Sequence, residues 1–152
     1  MTGKPIETAI NEKLTGEAQE NALKFVTTLQ ANGFSFEGWE DGDVAGWDPT
    51  YNGKGGGCIM IPGELNIWLG LGWCFDDNSS VDDDLKEFAW EHVVVCPQKS
   101  CKPPYCEGDN HSKNRWQIFG KEFESTCHSP LAFFNPDSIK LEKIKRLLLT
   151  TV

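Results

Sequence analysis

The chain has no apolar run close to the roughly 18 residues that span a membrane, which excludes a transmembrane helix. The first residues, MTGKPIETAINEKL, have no apolar core, so we expect no secretory signal peptide. Basic side chains are scarce in the middle of the chain, where residues 37–91 carry two basic and thirteen acidic groups. Binding to phosphate groups needs a concentrated basic surface. The sequence therefore predicts neither a nucleic acid nor a membrane as partner.

What is present is a strongly aromatic, acidic chain of 152 residues with a formal charge of −9. Hydrophobic residues make up 39%, with six Trp and nine Phe, which excludes a wholly disordered protein. A chain of this length can bury roughly two-thirds of its surface in one core. We therefore predict a single α+β domain over residues 1–152, with a Cys-rich loop at 96–115.

Hydrophobic spacing predicts three helices, one N-terminal, one central and one C-terminal. The first ends at Asn32-Gly33, and the second starts with Ser80 and Asp83 in a capping box. The third starts at Asn135-Pro136. Their predicted buried positions are Ala18, Ala22, Phe25, Val26 and Leu29, then Val81, Leu85, Phe88, Ala89, His92 and Val93, then Leu141, Ile144, Leu147 and Leu148.

Short apolar segments between turn residues predict an antiparallel sheet of about five strands. The predicted strands are FSFEGWE, a hairpin of Cys58–Ile61 and Leu65–Trp73, RWQIFGKEF with an interruption at Gly120, and Leu131–Phe134. The segment DGDVAGWDPTYNGKGGG is dense in Gly, Asp and Asn, so it is predicted as turns with at most a short edge strand.

The cysteines form the strongest local pattern, in which Cys96, Cys101 and Cys106 are separated by equal gaps and Cys127 follows. A long stretch without periodic structure inside a small domain is usually fixed by something. Four thiolates satisfy a tetrahedral structural zinc. We therefore predict zinc as cofactor, held by Cys96, Cys101, Cys106 and Cys127.

Other states of these cysteines stay open at this point. Zinc ribbons usually have two to four residues between paired ligands, whereas here every gap among the first three cysteines is four residues. His111 or His128 could replace one cysteine. Free thiols, a disulfide pair and an iron–sulfur cluster are the alternatives. Without a visible export signal, a reducing cytoplasm is the expected location, and there thiols stay free or bind metal.

The same region carries the segment IFGKEF, then Cys127, the apolar residues Leu131–Phe134 and the pair Asn135-Pro136. In this order, the stretch from Cys96 to Leu149 resembles a group of small uncharacterised bacterial cytosolic proteins with a Cys-rich loop. The resemblance covers about a third of the chain. It implies a cytosolic location and the same cysteine arrangement, and it brings no activity.

The tryptophans supply a second candidate site. Trp39 and Trp47 lie among Gly and Asp residues, and Trp73 follows an apolar strand. A large apolar ring with one N–H donor is common at binding surfaces. We therefore predict Trp39, Trp47 and Trp73 as ligand-binding residues of an apolar pocket with an acidic rim.

Three functional hypotheses follow from these patterns. The leading one is a non-enzymatic binding or interaction module with a structural zinc site. The second is a small-molecule-binding domain whose aromatic, acidic-rimmed cleft favours cationic or amphipathic ligands. The third is a thiol enzyme or redox sensor that uses Cys58 or a cysteine of the cluster, since a thiolate with a lowered pKa is a nucleophile.

Overall fold

The sheet is the frame of the molecule, and every pair of neighbouring strands in it is antiparallel. A computed structural model of the protein describes residues 3–70, 73, 75, 81–95, 115–124 and 126–151, with backbone only at residues 95, 127 and 128. The six strands of the main sheet, in spatial order, are β1 Ser35–Asp41, β2 Val44–Thr50, β3 Gly57–Met60, β4 Asn66–Leu69, β8 Thr126–Phe134 and β5 Val93–Val95.

A small two-stranded sheet and four helices complete the described part of the chain. The small sheet pairs β6 with β7, and the bounds are Arg115–Ile118 and Lys121–Glu124. The helices are α1 Ile6–Lys13, α2 Gly16–Ala31, α3 Asp83–Glu91 and α4 Ser138–Thr150. The predicted α+β class with an antiparallel sheet is confirmed.

One face of the sheet forms the hydrophobic core with the helices. The strand register places Trp47, Ile59, Ile67 and Phe133 side by side across β2, β3, β4 and β8, and all four are buried. The buried faces of the helices join the same cluster, for example Ile10, Leu29, Leu85 and Ile144. None of the helices in the described residues is long and apolar enough to span a membrane.

The prediction of three helices was wrong by one, because α1 precedes the first predicted helix. Ile6, Ala9 and Ile10 are spaced so that they form one buried face on a short helix that begins after Pro5. Ala18, predicted as buried, is exposed, while Ala22 and the other predicted positions of α2 are buried. A helix of two turns has too few apolar positions to stand out in the sequence.

The central helix is shorter than predicted. It begins at Asp83 with Asp82 as N-cap, so the predicted capping box from Ser80 is wrong, and Ser80 itself lies outside the described residues. The helix ends at Glu91, and Val93 starts β5, which pairs with Leu131 of β8. Three consecutive valines suit a strand better than a helix because β-branched side chains restrict the helical rotamers.

The sheet has more strands than the five predicted. β2 lies in the Gly- and Asp-rich segment predicted mainly as turns, and β6 and β7 form a hairpin where one interrupted strand was expected. Its turn uses Phe119 and Gly120, both at positive φ. The last helix has Asp137 as its N-cap, whose carboxylate accepts from the Lys140 N–H, so Asn135-Pro136 is not the cap.

Candidate functional site

The candidate site lies at the outer edge of the sheet, where β1 has a neighbour on one side only among the described strands. β1 and β2 are joined by the two-residue turn Gly42-Asp43. Gly42 has φ 62°, and glycine at the first central position is typical of a type II′ hairpin turn. This tight turn fixes the register that pairs Glu37 with Asp48 and Trp39 with Gly46.

Residues 3–7 pass close to β1 and form the second wall of the site. The Trp47 indole N–H donates to the Lys4 carbonyl oxygen at 2.8 Å, which holds this segment on the sheet. A Cβ atom on Gly38 would lie 3.2 Å from Trp47 Nε1 and 3.3 Å from Gly3 backbone atoms. Glycine at position 38 therefore allows the two backbones to approach each other.

Between these walls lies an open cleft of about 940 Å³. Its lining combines aromatic rings with carboxylates and includes the consecutive residues Phe34 to Trp39. Half-buried Trp39 and Phe36 supply apolar surface. The acidic residues of the lining are Glu7, Glu37 and Asp48, and its basic residue is Lys4.

The position of the Trp39 ring is fixed from two directions. Its indole N–H donates to Asp48 Oδ1 at 2.8 Å. Its six-membered ring lies over Gly46, where an added Cβ would come within 2.3 Å of Trp39 Cζ2 and 3.0 Å of Cys58 Sγ. Glycine at position 46 therefore provides the space that the Trp39 ring occupies.

The electrostatics of the cleft are those of a site for a cation. Burial raises the pKa of the Asp48 carboxyl, and the nearby Glu37 raises it further, while the hydrogen bond from Trp39 opposes both. Lys4 is paired with Glu12 at 2.7 Å. Among the described residues, no lysine or arginine lies within ion-pair distance of Glu37 or Asp48. The cleft thus keeps negative charge that the described bases do not balance.

Cys58 lies behind the cleft, and the raised pKa of its thiol does not suit a nucleophile. Burial raises the pKa of its thiol to about 12, and the negative charge of Asp48 adds to the effect. The thiolate is the reactive form of cysteine. At neutral pH this side chain is therefore an inert thiol beside Trp39, which argues against the hypothesis of a thiol enzyme acting through Cys58.

The structure separates the three tryptophans predicted as ligand contacts. Trp39 lines the cleft. Trp47 is buried in the core and holds the cleft wall through its bond to Lys4. Trp73 is fully buried and stacks on Phe34 at 5.6 Å between ring centroids, and its N–H has no hydrogen-bond partner among the described residues.

The sequence predicted an acidic rim for the pocket but not the residues that form it, which are Glu7, Glu37 and Asp48. Glu37 and Trp39 are two positions apart on β1 and therefore share one face of the strand, and Asp48 pairs with Glu37 across the hairpin. The alternation is visible in the sequence FSFEGWE, but the contribution of Asp48 depends on β2, in a segment predicted as turns with at most a short edge strand. The sequence signal was therefore the i, i+2 spacing of an acid and a tryptophan on one strand.

The predicted zinc ligands cannot be placed. Cys96, Cys101 and Cys106 lie outside the described residues, and Cys127 is described only by its backbone in β8. Among the described side chains, no three His, Cys, Asp or Glu residues lie together as metal ligands would. The zinc site stays a prediction.

Comparison of the chain with protein-family models, curated proteins and solved structures finds no match. The functional argument therefore depends on the geometry and charge of the cleft.

Proposed function

We propose that this protein is a binding module whose cleft at the β1 edge takes a ligand that carries an organic cation. The observation that carries the proposal is the set of Trp39, Glu37 and Asp48, which joins an aromatic ring to two carboxylates without a described base partner. This proposal favours the second hypothesis from the sequence, with Trp39 as the tryptophan in direct contact with the ligand.

The chemistry of the cleft favours a cation for two reasons. A tryptophan face attracts cations through its quadrupole, with about 0.5–2 kcal/mol per contact. Carboxylates on one side of the ring add a Coulomb attraction that a low-dielectric wall strengthens. The volume of about 940 Å³ lies within the range of ligand pockets, roughly 300–1,000 Å³.

Binding is a better assignment for this cleft than catalysis. The described residues that line it include neither histidine nor cysteine, and Cys58 behind it has a pKa of about 12. Lys4 is engaged by Glu12, and Glu7 accepts a hydrogen bond from the Gln30 amide at 2.7 Å. The side chains offered to a ligand are thus a ring and carboxylates, which recognise charge and shape.

The experiment that tests this function is calorimetric titration with arginine amide and with phenethylammonium. The control ligand is phenylethanol, which keeps the ring of the second probe and lacks its charge. We expect both cations to bind the parent protein and to bind Trp39→Leu at least about tenfold more weakly, a loss of about 1.4 kcal/mol. Equal binding of phenylethanol and phenethylammonium, or no loss in Trp39→Leu, would contradict the proposal.

A structural zinc site is a second proposal for this protein. We infer from the sequence pattern that one zinc ion is bound by Cys96, Cys101 and Cys106 of the Cys-rich loop at 96–115 together with Cys127, and that this metal stabilises the domain. A cytoplasmic location fits reduced, metal-binding cysteines. Cation binding at the cleft does not depend on this metal, so the two proposals are tested separately.

A further inference from the structure

The edge of β1 has backbone hydrogen-bonding groups that the described structure does not use. In a hairpin closed by a two-residue turn, the residues beside the turn form a hydrogen-bonded pair, and such pairs then alternate along the strands. The pair beside this turn is Asp41 with Val44. The N–H and C=O groups of Phe36, Gly38 and Glu40 therefore point away from β2.

Residues 3–7 pass beside this edge, but no described backbone group forms a hydrogen bond with these groups. Outside the sheet ladder, the described backbone hydrogen bonds include none from Phe36, Gly38 or Glu40. The cleft lies along this edge, since its lining contains every residue from Phe34 to Trp39. A small cation uses the carboxylates and the ring of the cleft and leaves the alternating donors and acceptors of the backbone unpaired.

We propose that the natural ligand of the cleft is an extended basic peptide, which adds to β1 as an antiparallel strand. This inference rests on the proposed binding of cations at the same cleft. Strand addition to a free sheet edge is a common mode of peptide recognition, in which the main chain supplies affinity and alternate side chains supply specificity. The antiparallel direction is that of every other pair in the main sheet.

The side-chain pattern of the peptide follows from the faces of β1. Peptide residues opposite Glu37 and Trp39 lie on the face that also carries Asp48, so they are lysine or arginine. The residue between them lies opposite Gly38, on the face where the backbone of Gly3 crosses, so it is short and uncharged. The predicted ligand therefore has basic residues at alternate positions.

Charge repulsion favours a basic peptide over a second copy of this chain as the occupant of the edge. Residues 37–48 contain five carboxylates, at Glu37, Glu40, Asp41, Asp43 and Asp48, and neither lysine nor arginine. Edge-to-edge pairing of two copies would bring these groups together, and charged side chains at an edge are a known protection against such pairing. The same carboxylates attract a basic strand.

The test uses the parent protein and a blocked hexapeptide of alternating arginine and threonine, measured by fluorescence polarisation. In the proposed pairing the threonine amides face β1 and the arginine amides face solvent. N-methylation of the threonine amides should therefore weaken binding at least about tenfold, while N-methylation of the arginine amides should change it less than about threefold. Both modified peptides keep the charge and side chains of the first.

Each outcome decides between the proposals. If both N-methylated peptides bind like the parent peptide while arginine amide also binds, the cation site stands and strand addition is wrong. If neither the peptide nor arginine amide binds, both are wrong. Loss with arginine methylation alone would overturn the antiparallel register. A dimer in sedimentation velocity that the peptide dissociates would assign the edge to a second copy and overturn the proposal.

A protein variant gives an independent check. Glu40→Pro removes an outward-facing N–H from an exposed residue of an edge strand, where proline is tolerated. We expect this variant to bind the peptide at least about fivefold more weakly than Glu40→Gln, which removes only the charge. Both variants should bind arginine amide equally, and equal peptide affinity in the two variants would contradict the use of this N–H.

Discussion

At the scale of single residues, Asp48 is a position where charge opposes stability. Burial and the negative charge of Glu37 both raise the pKa of its carboxyl. The carboxyl is therefore harder to ionise in the folded protein than in the unfolded chain. A raised pKa means that this contribution to stability is present at low pH and is lost as pH rises through the folded-state pKa. A charge that costs stability on a cleft wall is typical of a group kept for binding.

Asp48→Asn should therefore raise the stability of the protein and weaken the binding of cations. The amide oxygen can still accept the hydrogen bond from the Trp39 indole, while the repulsion from Glu37 disappears. We expect a higher melting temperature than the parent at pH 7, no difference at pH 3, and weaker binding of arginine amide. A lower melting temperature at pH 7 would show that the carboxylate stabilises the fold, contrary to the direction of its pKa.

Cys58 supports a second prediction, on thiol reactivity. Because burial raises its pKa from 9.0 to about 12, its thiol should resist iodoacetamide at pH 8 in the folded protein and react only after denaturation. The measurement is mass mapping of the peptide that contains Cys58.

The same raised pKa has a consequence for stability. The protonated thiol of Cys58 contributes stability below pH 9, which is lost as pH rises toward 12. Cys58→Ser should therefore lose less stability than the parent over that interval. Rapid alkylation of folded Cys58 at pH 8 would contradict both expectations and restore it as a candidate nucleophile.

At the scale of elements, the β1–β2 hairpin builds the site through a glycine. Gly46 provides the space over which the Trp39 ring lies, and the Gly42-Asp43 turn sets the register that brings the two residues together. The absence of a side chain at Gly46 thus lets the Trp39 ring pack against β2. Glycine in a strand often marks such a close approach.

Gly46→Ala tests this arrangement. The added Cβ would lie 2.3 Å from Trp39 Cζ2, so the ring must move, and its bond to Asp48 is lost with it. We expect the free energy of unfolding to fall by about 1–3 kcal/mol, as for other overpacked sites.

The matched control is Gly63→Ala, because a Cβ at position 63 meets no atom within 4 Å and its φ is not in the positive range. It should leave the melting temperature and the binding of arginine amide close to those of the parent. Equal stability of the two variants in chemical denaturation would show that the Trp39 ring is not confined by position 46.

Elements with local signals could be predicted from the sequence, and those made by distant contacts could not. The β3–β4 hairpin and the apolar face of α2 follow from short-range patterns, and both are present. β2 was predicted as at most a short edge strand, because Gly46, needed for contact with Trp39, and the neighbouring turn residues make its sequence look like turns. For the same reason, the acidic wall of the cleft could not be assembled from the sequence, although Trp39 was named.

At the scale of the whole molecule, the acidic charge is concentrated in one part of the sequence, which includes Glu37 and Asp48 of the cleft and also acidic residues outside its lining. Residues 37–91 carry a net charge of −11, while the remaining residues balance to a small positive value. Such a field raises the local concentration of cations and the rate at which they associate. Ligand capture by the cleft should therefore weaken as ionic strength rises.

The zinc prediction also belongs to this scale, because a metal that closes a long loop contributes to folding of the entire domain. Elemental analysis of protein purified without chelator should give about one zinc per chain. Cys101→Ser should lose the metal and melt at a lower temperature than the parent. Cys58→Ser should keep the metal and the melting temperature of the parent. A metal-free protein with six titratable thiols would contradict the prediction.

The hydrogen bond from the Trp47 indole to the Lys4 carbonyl controls how often one wall of the cleft can open. It joins residues 43 apart and holds residues 3–7 against β1. Partial detachment of this segment would open one wall while the sheet stays intact, as in local unfolding of a low-stability unit. The Trp47 indole proton exchanges with deuterium only in such an opened state. Its exchange rate, read by NMR, therefore counts the openings of the cleft, and a bound strand should slow it.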